Sequence, residues 1–191
     1  MHSFKYANKL LPTQTMKQLY YIHIYPHLIG NISIWGTNNR QATYMQPLIR
    51  AHKKVIRLMA NKRPRTHTNP IMNKHQILNL SNLYTLRVCA EMHPFIHHKK
   101  QLNRPEHDHV YTLTSQVHNH NTRYAAQHHQ FIAQQRHYSK VRQPTRTTEH
   151  LPAKYAGVWN SIPSELRTVK LHKSFKKALT QHLLTKQAGL N

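Results

Sequence analysis

The sequence predicts a mainly α-helical chain: a small helical bundle, then a loop-rich, partly disordered segment, then a C-terminal amphipathic helix. Three observations carry that reading. Apolar residues recur at helical spacing in "PLIRAHKKVIRLMANKR" (47–63) and again in "LHKSFKKALTQHLL" (171–184). Prolines and polar turns punctuate the stretches between the periodic segments. From about His97 to His120 the apolar pattern collapses into "HHKKQLNRPEHDHVYTLTSQVHNH", the composition of a loop or disordered linker. The expected division is therefore a helical region over 1–97, a flexible linker over 98–122 and a basic tail region with its terminal helix over 123–191.

The elements follow in order. "LPTQTMKQLYYIHIYPHLI" (11–29) reads as a helix opening near Pro12, a residue tolerated in a first turn. Leu19, Ile22, Pro26 and Ile29 fall on one side, and Pro26 kinks or weakens the second half. "NISIWGTNN" carries Trp35 into a turn at Gly36. The second helix spans roughly 47–61. At about 100° per residue, Leu48, Ile49, His52, Val55, Ile56 and Met59 form one arc, the buried stripe. "NKRPRTHTNP" is a loop closed by prolines. A short helical turn and a longer helix follow, capped at Ser81 or Asn82, with Leu83, Leu86, Val88, Ala90 and Met92 as apolar positions. Residues 123–138 read as a weak helix. "YAGVWNSIPSELR" gathers apolar residues around Trp159 and ends in a turn. The closing helix sets Leu171, Phe175, Ala178, Leu179 and Leu183 against Lys173, Lys176 and Lys177. No internal repeat is present.

Charge narrows the function. Lys and Arg number 28 against 5 Asp and Glu, a formal net charge of +23, and 19 His add more below neutral pH. Such a chain repels itself unless a polyanion neutralises it. Few acids and 38% apolar content point to marginal stability without ligand. The sequence has no apolar run of the ~20 residues a spanning helix needs, and "MHSFKYANKL" lacks the apolar region of a secretory signal. A lone cysteine, Cys89, fits a reducing compartment. Together these predict a nucleic-acid binder inside the cell, in nucleus or cytoplasm, with no membrane partner.

Catalytic constellations are sparse. The acids Glu91, Glu106, Asp108, Glu149 and Glu165 are scattered except in "EHDH" (106–109), which reads as a polar loop of a His-rich chain rather than a metal cluster. "HNH" (118–120) is too short to define a nuclease. One cysteine cannot supply the usual zinc ligand sets, and no Gly-rich phosphate loop occurs. The expectation is no catalytic residue, no metal and no cofactor. The basic arc is the better signal. Arg50, Lys53, Lys54 and Arg57 recur at i, i+3, i+4 and i+7, covering about 10 Å of helix. Lys62 and Arg63 follow, and Lys173, Lys176 and Lys177 repeat the bias. Without Glu or Asp at i+4 to balance them, these side chains are the candidates for phosphate contact. Of Tyr20, Tyr21, Tyr25 and Tyr44, at least half are expected in the core and the rest are able to stack on bases.

An ordered series of motifs carries a resemblance. "LPTQTMKQLYYIHIYPHLIGNISIWG", "LIRAHKKVIRLM", "NPIMNKHQILNLSNLYTLRVCAEMHPFIH", "HNHNTRY", "YAGVWNSIPSELR" and "KSFKKALTQHLL" resemble, in order and spacing from about residue 9 to 185, the region following the polymerase core of LINE-type (non-LTR) retrotransposon reverse transcriptases, most like the jockey or RTE-type members. Gly30 and Asn31 depart from the family's Tyr-Gly. The resemblance implies a thumb-like helical bundle that holds a template–primer duplex by its backbone without reading bases. It implies RNA, DNA or hybrid duplex as partner, and a palm domain supplied in trans. No Tyr/Phe-x-Asp-Asp motif occurs, so the chain is not expected to polymerise alone. Two other readings stand beside this one: a host protein using the fragment as a binding or partner-assembly module, and a translated relic without function.

Overall fold

The computed structural model describes residues 2–37, 42–97, 111–113, 131–133 and 151–189. The chain is mainly α-helical and divides into two compact units, Met1–Arg87 with Thr180–Asn191, and Val88–Leu179. The "EHDH" and "HNH" stretches and Arg123 lie outside the described residues.

In the first unit a helix absent from the sequence reading, α1 (His2–Leu10), comes first. Its period is faint: Phe4, Ala7 and Asn8 are half-buried, and the remainder of its described side chains face water. The run from Pro12 to Ile29 comprises α2 (Thr13–Leu19), a π-helical segment (Tyr20–Ile24) and α3 (Tyr25–Ile29). Pro26 has no N–H to give to a carbonyl one turn back. The chain absorbs this with a wider turn, in which the Tyr25 N–H bonds the Tyr20 carbonyl, five residues away.

That insertion corrects the expected inner face. Met16, Tyr20 and Leu28 are buried and Ile24 half-buried, whereas Ile22 is 64% exposed and Pro26 faces solvent. A four-residue spacing drifts by about 40° per step on a regular α-helix. The wider π turn takes up part of that drift, so the stripe Met16-Tyr20-Ile24-Leu28 stays inward.

Between α3 and α4 (Ile32–Trp35), Asn31 adopts a left-handed conformation, φ 51°. Asparagine reaches that region at less cost than other residues with a Cβ. The Trp35 Nε1–H donates to the Gly30 carbonyl at 2.7 Å and fixes the turn. Gly36 follows where the backbone passes so close to the Ile32 carbonyl and the Tyr84 ring that no Cβ fits.

A short 3-10 turn (Thr43–Met45) leads into α5 (Gln46–Met59). Its predicted inner arc holds: His52, Val55, Ile56 and Met59 are buried, Leu48 and Ile49 half-buried. α6 (Asn69–Lys74) and α7 (Leu80–His97) follow. The cap of α7 is Asn79 rather than Ser81 or Asn82: its Oδ1 accepts the Asn82 N–H at 2.9 Å. Asn82 lies one turn further in and is buried. There its Nδ2 donates to the Leu183 carbonyl and to Gln187 Oε1. Gln187 is the hub of this network. Its Oε1 also accepts from the Asn79 N–H at 2.9 Å, and its Nε2 donates to Asn73 Oδ1 at 2.8 Å and to the Ile77 carbonyl at 3.1 Å. The predicted terminal helix thus runs on to Ala188, as His172–Ala188.

In the second unit, β1 (Tyr111–Leu113) and β2 (Phe131–Ala133) pair antiparallel, Thr112 opposite Ile132. The sequence pattern alone predicts a linker at the first and a weak helix at the second. Phe131 and Ile132 have strand propensities that weigh against a helix once a partner strand is present. α8 (Leu151–Asn160) packs on β2, and α9 (Ser164–Arg167) and the start of α10 (His172–Ala188) complete the unit. Trp159 and Phe175, both fully buried, meet at a tilt of 37° with ring centroids 5.5 Å apart. His93 lies 4.5 Å from the Phe175 ring. A 2.7 Å hydrogen bond joins its Nε2 to the Val169 carbonyl, and one of 3.0 Å joins His97 Nε2 to the Arg167 carbonyl. Among the described residues, no helix is long and apolar enough to cross a membrane.

Candidate nucleic-acid interface

The outer face of α5 carries the predicted cations. Arg50, Lys53 and Lys54 are exposed and Arg57 is half-buried. They stand opposite a neutral interior. His52, on the inner face, bonds Tyr20 across the core, Oη to Nε2 at 3.0 Å. Burial lowers the His52 pKa to about 4, so the imidazole adds no charge at neutral pH. Burial also pushes the Tyr20 phenol up, with Tyr21 and Tyr25 adding to the effect. The helix therefore keeps its charge on one side only.

Arg50, Lys54 and Arg57 open onto a cleft of about 530 Å³, lined in addition by Lys5, Leu58, Lys62 and Pro64. Local structure sets these positions. α5 ends with Asn61 in the left-handed region, φ 50°. The Asn61 N–H bonds the Leu58 carbonyl at 3.1 Å, and the Lys62 N–H bonds the Arg57 carbonyl at 2.8 Å. This paired pattern is the Schellman closure, here with asparagine where glycine is usual. It turns the chain so that Lys62 joins the side lined by Arg57. The Arg57 Nε–H donates to the Thr66 carbonyl at 2.7 Å, which ties the following loop back to the helix. α1 packs on α5, and Asn8 Nδ2 donates to Asn61 Oδ1 at 3.4 Å, which brings Lys5 to the rim.

The sequence-predicted residues are thus partly gathered. Arg50, Lys54, Arg57 and Lys62 share the cleft; Lys53 and Arg63 are exposed but are not among its lining residues. Lys173, Lys176 and Lys177 are exposed on α10, in the second unit. Lys5 is the residue sequence reasoning missed. Its signal was the half-period of Phe4, Ala7 and Asn8, too short and too polar to mark a helix alone. Of the four tyrosines, Tyr20 is fully buried, Tyr25 half-buried, and Tyr21 and Tyr44 are 37% and 65% exposed.

Chemically, the arrangement offers ammonium and guanidinium donors with no acid among the described lining residues. It can hold anions by charge-assisted hydrogen bonds. Among the described residues no group of three or more His, Cys, Asp or Glu is placed to hold a metal ion. Compared with family models, with curated proteins and with solved structures, the chain matches none.

Proposed function

We propose that this chain is the nucleic-acid-holding, thumb-and-tail part of a LINE-like reverse transcriptase. It binds RNA, DNA or their hybrid through backbone phosphates without base readout. The ordered series of motifs supports the family. The observation that carries the binding role is the charge asymmetry of α5: Arg50, Lys53 and Lys54 face water while His52, Val55, Ile56 and Met59 are buried on the other side. Binding of this kind releases condensed counterions, so affinity falls linearly with salt on logarithmic axes. Polymerisation belongs to the palm, with its catalytic aspartates, acting in trans.

The test is fluorescence anisotropy of a labelled RNA–DNA hybrid over a salt series. Replacing two phosphate-contacting lysines, Lys53→Glu with Lys54→Glu, lowers the logarithmic salt slope by about 2 and weakens binding at every salt concentration. Unchanged affinity and slope remove the assignment.

A further inference from the structure

The cleft asks for a ligand of higher charge density than a nucleic-acid backbone. Five cations from three chain segments converge on it: Lys5 from α1, Arg50, Lys54 and Arg57 from α5, and Lys62 from the turn beyond. The cleft, about 530 Å³ and partly open to solvent, has the size of a site for one small ligand. A backbone brings one negative charge per nucleotide, spaced several ångströms apart along the strand, so it neutralises five converging cations sparsely. Linked phosphoryl groups are different, because three of them carry a charge of about −4 in a fraction of that volume.

The lining is built for such a group. Arg57 commits its Nε to the Thr66 carbonyl, so its guanidinium plane is fixed and its Nη amino groups carry the remaining donors. Lys62 is set by the helix closure at Asn61, and Lys5 by the packing of α1 on α5. Leu58 and Pro64 supply apolar surface beside the charges, which weakens competition from water.

We infer that the cleft bounded by Lys5, Arg50, Lys54, Arg57 and Lys62 is a seat for an oligophosphate group. The group is either a free oligophosphate or the 5′-triphosphate end of an RNA. This site is distinct in ligand from the backbone contacts proposed above, and Lys53, outside the lining, separates the two.

The experiment is calorimetric titration of the full chain with sodium tripolyphosphate and with orthophosphate at one ionic strength. A parallel titration uses one short RNA bearing either a 5′-triphosphate or a 5′-hydroxyl. Tripolyphosphate is expected to bind one-to-one and at least about tenfold tighter than orthophosphate. Lys5→Ala and Lys62→Ala, both surface changes, each weaken it by about threefold to tenfold. Lys53→Ala leaves tripolyphosphate binding unchanged and weakens only hybrid-duplex binding. An RNA source predicts that the 5′-triphosphate RNA outcompetes its 5′-hydroxyl twin and loses that advantage in Lys5→Ala. Equal preference for the two RNAs, with tripolyphosphate still bound one-to-one, assigns the site to a free oligophosphate. Many weak sites for tripolyphosphate, unaffected by Lys5→Ala and Lys62→Ala, overturn the proposal while leaving duplex binding standing.

Discussion

Acid should destabilise this protein through His52, a histidine buried beneath the basic face of α5. It is 3% exposed, hydrogen-bonded to a fully buried tyrosine, and its pKa is lowered to about 4 from the ordinary value of 6.5. In the unfolded chain the same imidazole titrates near 6.5. Below that pH the unfolded state takes up a proton that the folded state refuses until about pH 4. Stability from His52 is therefore fully present above about pH 6.5 and is lost as the pH falls from there toward 4. Integrating the linkage relation, the loss is about 1.4 kcal/mol by pH 5.5, about 2 kcal/mol by pH 5 and about 3 kcal/mol by pH 4. Against a total of roughly 5–15 kcal/mol for an ordinary domain, that is a large share.

The assay is urea unfolding followed by circular dichroism at a series of pH values, for the parent chain and for His52→Gln. Other histidines contribute to both chains, so the difference between the two slopes isolates His52. The parent should lose about 2 kcal/mol more than the variant between pH 7.5 and pH 5. Parallel curves would refute the claim that a buried neutral imidazole sits beneath the basic face.

Two further changes probe the frame that holds the cleft. Gly36→Ala places a Cβ against the Ile32 carbonyl oxygen and within 2.8 Å of the Tyr84 ring, and should lower stability by about 1–3 kcal/mol, read as a shift in urea midpoint. Gln187→Leu removes all four hydrogen bonds of the buried hub and strands the Asn79 N–H, Asn73 Oδ1 and the Ile77 carbonyl, while Asn82 keeps its bond to the Leu183 carbonyl, for a loss of about 3 kcal/mol after relaxation; a loss below about 1 kcal/mol would mean water replaces the amide.

What was legible in the sequence was whatever repeated at helical spacing over several turns. The inner arc of α5 is the strongest case, because four of its six apolar-arc residues are buried and none is exposed. Pro26 marks an interruption, as its chemistry predicts, but the irregularity falls in the turn before it, as a π-helical segment. A π turn is set by which carbonyl a displaced N–H finds, and a pattern of residue types does not encode that choice. The cap of α7 falls at Asn79, two residues before the nearer of the expected Ser81 and Asn82, because only the trajectory of the chain decides among neighbouring polar residues. Gln187 lies beyond the periodic stretch 171–184, where nothing in the sequence marks it as buried. Its burial depends on Asn73, Asn79 and Asn82, more than a hundred positions away. For the cleft, the α5 contribution followed from periodicity, whereas Lys5 and Lys62 are recruited by a helix packing and by a turn closure.

The scarcity of acids also explains how the described interior is made. With 5 acids for 28 strong bases, few buried polar groups can be satisfied by ion pairing. Much of the buried polarity is neutral instead: the amides of Asn82 and Gln187 and the imidazole of His52. Arg167 aside, the described cations are left at least partly exposed, and in the cleft they crowd one another without a balancing acid among the described lining residues. That repulsion opposes folding, and it is the part of the energetics that solvent ions can reach. At 0.1 M salt the screening length is about 10 Å, comparable with the stretch of α5 from Arg50 to Arg57. Raising salt from about 0.02 M to 0.3 M should therefore raise the Tm of the free chain, the reverse of what a surface held by salt bridges does. Saturation with a polyanion should raise it further and flatten its salt dependence, since the bound ligand has already neutralised the cations. A Tm that falls with salt would mean that attractive pairs, not this unrelieved repulsion, dominate the surface. It would take away the physical reason for expecting a polyanion on α5.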